Sequence, residues 1–149
     1  RRLALNSLDH WFDPRFNMIE EYDLFVRIGH QWHLGYVDEV LAKWRVHGDS
    51  WTWKFSSEFP KERELMLQKL NYIIPNFDKD YAKEIFFINR TCNFEYALES
   101  WKVQENRTAR KLLQPYITSG VKWFLIYFCT WLPYQVFKML WKMRGGIHP

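Results

Sequence analysis

The stretch Val40-Leu41-Ala42-Lys43-Trp44-Arg45-Val46-His47 decides which fold this sequence predicts, because it alternates. Val40, Ala42, Trp44 and Val46 fall on one side of an extended chain, while Leu41, Lys43, Arg45 and His47 fall on the other. The pattern predicts a strand with one buried and one cationic face, ended by the turn residues Gly48 and Asp49. Upstream, Asn17-Met18-Ile19-Glu20 has the spacing of a capping box, and Leu24, Phe25, Ile28 and Trp32 recur with helical period. A helix over about 18–31 is therefore expected, with Asp23 and Arg27 one turn apart and able to pair along its surface.

From Ser57 the pattern is helical to the end of the chain. Leu65, Leu67, Leu70 and Ile73 predict a helix over 62–74 that stops at Pro75, and further helices are expected over 79–102 and about 107–116. The run from Tyr96 to Leu113 reads as a helical hairpin with small residues, Ala97 and Ala109 among them, where the two helices cross. It loosely resembles one tetratricopeptide-type unit, but without a repeat packing explains it better.

Composition narrows the class. With 48% hydrophobic and 26% charged residues the chain is globular rather than disordered, and aromatics at 19% require that large rings be buried or laid on something apolar. The chain opens at Arg1 without an initiator Met or a signal-peptide core, and is expected to be a piece of a longer protein. Cys92 and Cys129 lack metal-ligand spacing and suit a reducing compartment, although a disulfide between them stays open.

Charge is divided unevenly. From Asn106 onward there are seven Lys and Arg and no Asp or Glu, so this stretch carries +7 and leaves −3 for the rest of a chain at +4 overall. A basic tail of this kind meets a polyanion. Trp123 to Phe137 holds no charge for fifteen residues, shorter than the roughly twenty needed to span a bilayer, and Pro133 breaks it. Trp123, Tyr127, Trp131 and Tyr134 are expected at headgroup depth, with Lys122, Lys138, Lys142 and Arg144 facing anionic lipid. The cations flank the aromatics instead of interleaving with them, which disfavours nucleic acid.

Among candidate site residues, Glu20 and Glu21 stand in the first turn of the expected helix, where the helix dipole alone favours acids. Lys43, Arg45 and His47 could equally be the solvated face of an edge strand. Trp51 and Trp53 follow His47 and could stack on a sugar or a lipid, or pack in a core. His30 and His33 lack a third ligand, Asp78-Lys79-Asp80 opens a helix, and the sequons at Asn89 and Asn106 are read as chance.

In combination, the residues Trp11-Phe12-Asp13, Glu20-Glu21-Tyr22-Asp23-Leu24, Arg27, Tyr36-Val37-Asp38-Glu39-Val40-Leu41-Ala42 and Arg45-Val46-His47-Gly48-Asp49-Ser50 follow a known order and spacing. They resemble the C-terminal half of the catalytic domain of inverting family 2 glycosyltransferases, over about the first third of the chain. The resemblance implies an α/β fold, the C-terminal half of a GT-A domain over 1–56, followed by a helical extension over 57–118 and basic-aromatic helices over 119–149. It also implies sugar transfer from a nucleotide-diphospho-sugar to a membrane-proximal glycan or lipid-linked acceptor, at the cytoplasmic face of a membrane. Glu21 takes the position of the general base, with glutamate where the family more often has aspartate, and Glu20 is its possible substitute. Arg45 and His47 take the positions of contacts to the diphosphate or to a divalent cation, Mg²⁺ or Mn²⁺, His47 as the metal ligand. Trp51 and Trp53 are candidates for binding the acceptor. The family's nucleotide-binding Asp-x-Asp motif does not follow a strand anywhere in this sequence. The alternative is a non-catalytic, membrane-associated helical interaction module.

Overall fold

Helices take up 69% of the described residues and no strand forms among them, so the fold is mainly helical. This corrects the expected α/β half of a GT-A domain. The computed structural model describes residues 2–43, 47 and 50–143, with the main chain only for Trp53. Val40 and Leu41, expected on opposite faces of a strand, are both open to solvent, at 92% and 72% exposure. An extended segment gains its ladder hydrogen bonds only beside another one, and among the described residues no second extended segment pairs with this one. Trp44, Arg45, Val46, Gly48 and Asp49 lie outside the described residues, and with them the rest of the expected strand and its turn.

The helices are α1 (Arg2–Asn6), α2 (Glu20–Gln31), α3 (Trp51–Lys54), α4 (Glu58–Ile73), α5 (Phe77–Asp80), α6 (Ala82–Lys102), α7 (Asn106–Leu113), α8 (Val121–Cys129) and α9 (Tyr134–Met143), with a 3₁₀ turn at Gln114–Ser119 between α7 and α8. They form two compact units that divide between Met66 and Leu67, inside α4.

In the first unit, α2 buries Asp23, Leu24 and Arg27, while Phe25 and Trp32 of the expected apolar face stay exposed. The helix begins at Glu20 rather than at Met18, with Ile19 at its N-cap position and no side-chain cap. The capping box does not form, because the backbone N–H groups of Asn17 and Met18 donate to the Glu62 carboxylate at 2.9–3.1 Å. Along α4, which runs from this unit into the next, the buried positions are Pro60, Glu62, Met66 and Leu70, with Ile74 just beyond its end; Leu70 is expected there from the sequence, whereas Leu65, Leu67 and Ile73 lie one step round.

The second unit packs α6 against α7, with α8 and α9 completing a core of Ala97, Leu98, Trp101, Ala109, Leu113, Ile126 and Phe137. Ala97 and Ala109 let the α6 and α7 backbones approach, as the sequence predicts. The α7 helix stops at Leu113 and tightens into the 3₁₀ turn where Pro115 removes a backbone donor. Between α8 and α9, the turn at Thr130–Pro133 is stapled down: Trp101 Nε1 donates to the Leu132 carbonyl at 2.9 Å, and Asn106 Nδ2 and Arg110 Nη1 donate to the Thr130 carbonyl at 2.9 and 3.3 Å. Gly120, at φ +133°, joins the 3₁₀ turn to α8 in a conformation that side chains rarely adopt.

The aromatic stripe expected at headgroup depth falls differently. Trp123, Tyr127 and Tyr134 are half-buried against the core, whereas Phe124, Phe128 and Trp131 form the exposed face. Their rings run in sequence, Phe124 to Phe128 at 4.6 Å and Phe128 to Trp131 stacked at 5.4 Å. No helix among the described residues is long and apolar enough to cross a membrane. Cys92 is buried, Cys129 is half-buried, and the two are not joined.

Candidate functional site

The candidate site is built on α2, and its rigidity comes from charge rather than from apolar packing. Arg27 Nε donates to Asp23 Oδ2 at 2.9 Å and its Nη2 lies 2.8 Å from the same oxygen. The remaining arms reach back to the preceding loop, Nη1 to the His10 carbonyl at 2.8 Å and Nη2 to the Trp11 carbonyl at 2.7 Å. With exposures of 0% for Asp23 and 6% for Arg27, this is a buried pair and not the surface pair that the sequence suggests. Burying a charged pair is tolerated only when geometry and additional hydrogen bonds compensate the lost water, and the two carbonyls supply those bonds.

The loop ahead of α2 is held by a second carboxylate. Buried Asp13 receives the Arg15 guanidinium through both oxygens, at 3.0 and 2.7 Å, and also the Arg15 backbone N–H at 3.1 Å. The hydrogen bond to Asp13 raises the Arg15 pKa above its ordinary value. Glu62 then fixes Asn17 and Met18 at the threshold of the helix. Sequence reading missed Glu62, since a single acid on a helix gives no sign that its partners lie about 45 positions away.

Three acids occupy the first turn of α2, and only Asp23 is engaged by Arg27. Glu21 is exposed, and no hydrogen bond or ion pair holds it among the described residues. Glu20 is half-buried, with Oε2 shut off from solvent and without a hydrogen-bond partner. Both carboxylates stand in the first turn of α2, at the positive end of the helix dipole. The arrangement presents two acceptor-only groups on a backbone fixed from three directions.

The other sequence-predicted residues are not gathered around them. His47 is exposed, and its backbone carbonyl accepts from Ser50 N at 3.1 Å. Trp51, at 60% exposure, starts α3 and packs its ring on Phe55 at 4.1 Å. Among the described residues no hydrogen bond, ion pair or ring contact joins Glu20 or Glu21 to His47 or Trp51. Arg45 and the Trp53 side chain lie outside the described residues. No group of three His, Cys, Asp or Glu side chains suited to a metal ion gathers among the described residues. Asp49, the nearest acid to His47 in the sequence after it, lies outside the described residues.

Compared with known protein families, with curated proteins and with solved structures, the chain matches none.

Proposed function

We propose that this chain supplies the acceptor side of a sugar transferase working at a membrane surface. The observation that supports it most is the division of labour within one helical turn: Asp23 is consumed by the buried Arg27 clamp, while Glu20 and Glu21 are left unengaged on the fixed backbone. In this reading a Glu21 oxygen accepts the proton of the acceptor hydroxyl as that hydroxyl oxygen forms a bond to the anomeric carbon. The anomeric C–O bond to the diphosphate breaks with inversion, and its electron pair leaves with the nucleoside diphosphate. Glu20 orients the acceptor, and exposed Trp51 offers an aromatic face to a sugar ring. Arg45 and His47 meet the charge that develops on the leaving group.

The membrane part of the proposal rests on the second unit, where Phe124, Phe128 and Trp131 expose a continuous aromatic face and the sequence from Asn106 onward has no acid. Such a face lies in the interface of an anionic leaflet, at the cytoplasmic side, without spanning it. The same exposed face is what favours the second reading, a non-catalytic helical interaction module.

Glu21→Gln in the intact polypeptide decides between them. The expected result is turnover about 10²–10⁴-fold lower with nucleotide-sugar binding retained. Turnover near wild type assigns Glu21 to structure, and the loss appearing only in Glu20→Gln exchanges the roles of the two glutamates. Absence of any sugar transfer by the wild-type polypeptide would leave the interaction module.

A further inference from the structure

The cations of the second unit sit on rings. Arg90 on α6 lies 4.7 Å from the Trp123 ring centre and 5.0 Å from that of Phe87, and its Nε is buried without a hydrogen-bond partner. Lys122 lies 5.6 Å from the Trp123 ring and 5.9 Å from the Trp141 ring. Arg110 covers Trp131 at 4.7 Å. None of the three is paired with a carboxylate among the described residues. A cation–π contact holds a charged head in place without neutralising it, so these groups remain able to receive an anion.

Lys122 also stands at the edge of a groove between α8 and α9, of about 630 Å³, whose walls are Leu125, Ile126, Phe137 and Leu140. That volume falls within the roughly 300–1,000 Å³ typical of small-molecule clefts. Two further wall residues carry polar atoms: Cys129, and Trp141, whose buried Nε1 has no hydrogen-bond partner. An apolar trough with a cation at its edge, an unused indole donor in its wall, and no acid within its two helices is complementary to one class of ligand. We propose that this groove takes an acyl chain of an anionic phospholipid from the bilayer, with the phosphate at Lys122 and Arg90, the two cations that lie on the Trp123 ring. The inference rests on the membrane contact proposed above and not on the sugar chemistry. It turns a general surface affinity into a site for one lipid molecule.

Cys129 provides the readout, since it lines the groove, while Cys92 is buried in the helices and serves as an internal control. Burial raises the Cys129 pKa above its ordinary value, so alkylation by a maleimide is followed at mildly alkaline pH, by mass spectrometry of the whole chain. Monomeric short-chain phosphatidylglycerol at about ten times its Kd should slow alkylation of Cys129 about tenfold and leave Cys92 unchanged. Short-chain phosphatidylcholine should protect far less, inorganic phosphate not at all, and Lys122→Glu should abolish the preference for the anionic lipid. Because Lys122 is exposed, that variant is expected to fold, which circular dichroism checks. Equal protection by both lipids overturns the assignment of Lys122. No protection by either lipid overturns the groove, and co-sedimentation with phosphatidylglycerol vesicles in that case preserves the surface contact alone. Loss of vesicle binding as well removes the membrane reading itself.

Discussion

The two units are held together by opposite means, and the difference bears on what each is for. Up to Met66, the buried side chains include Asp13, Asp23, Arg27 and Glu62 beside Phe16, Ile19 and Leu24, and carboxylate and guanidinium groups hold the backbone ahead of α2. From Leu67 on, the core is Trp101, Ala97, Ala109, Ile126 and Phe137, and the cations lie on aromatic faces. Apolar burial stabilises without requiring an exact geometry. A buried ionic network stabilises little in net terms, yet it fixes backbone direction, because each oxygen and N–H must meet its partner. The general base proposed on the first turn of α2 is suited to the second arrangement, and the lipid contact proposed for the helical unit is suited to the first.

The largest expected effects come from breaking each core at its centre. Arg27→Ala should destabilise α2 by about 3–5 kcal/mol, because Asp23 is left buried without its cation and two carbonyls lose their donor. Trp101→Ala should cost the helical unit a similar amount, about 3–5 kcal/mol, through the cavity and the lost bond to the Leu132 carbonyl. Native-state hydrogen exchange separates the two, since the first should release the amides of α2 and the second those of α6 to α9. The comparison sharpens with the double variant Asp23→Leu/Arg27→Met. Replacing both charges by apolar groups of similar size should restore α2 protection to at least the wild-type level, while the helix start loses its fixed orientation. If the double variant is as unprotected as Arg27→Ala, the loop carbonyls of His10 and Trp11 matter more than the pair.

An intermediate effect is expected at Glu62. Glu62→Gln keeps the shape but offers one acceptor oxygen where the carboxylate offers two to Asn17 and Met18, and hydrogen bonds to charged groups are worth about 1.5–3 kcal/mol. Faster exchange confined to the Asn17 and Met18 amides and the first turn of α2 is the expected result. Unchanged exchange there would mean that the Asp13 turn alone sets the helix start.

What could be foreseen follows the same division. The α6–α7 hairpin was legible, because Ala97, Ala109 and the polar turn between the two helical patterns are local signals that packing did not override, although the helix expected to about 116 stops at Leu113, ahead of Pro115. The failure of the α/β reading was not legible: alternation describes which way side chains would point, and says nothing of whether a neighbouring strand exists for the described residues Val40 to Lys43 to pair with. The capping box at Asn17 failed because Glu62, distant in sequence, competes for the same N–H groups. On α2, Leu24 of the period-based face is buried as expected, but Phe25 and Trp32 stay exposed while Asp23 and Arg27, which hydropathy places outside, are buried. Glu20 and Glu21 did fall in the first turn of a helix, as their positions in the sequence suggested. Nothing local could reveal that Asp23 is consumed while the other two are left unengaged.

The smallest expected effect concerns pH, and it should be confined to the second unit. Burial raises the Cys129 pKa; it also raises that of Tyr134, where nearby Lys102 opposes the rise and Glu99 adds to it. Both groups are neutral when protonated, so a folded-state pKa above the unfolded one means that the folded chain keeps the proton to higher pH. The unfolded chain then binds fewer protons, and the slope of stability against pH is negative. For Cys129 the full stability is present below about pH 8.5 and falls above it, and for Tyr134 the fall begins near pH 10. Urea unfolding of the whole chain between pH 7.5 and about 10.5 should show this decline, and Cys129→Ala with Tyr134→Phe should flatten it. The α2 amides should show none of this dependence, since neither group belongs to their unit. A decline shared equally by α2 and α8 would break the comparison, because the two units would then unfold as one.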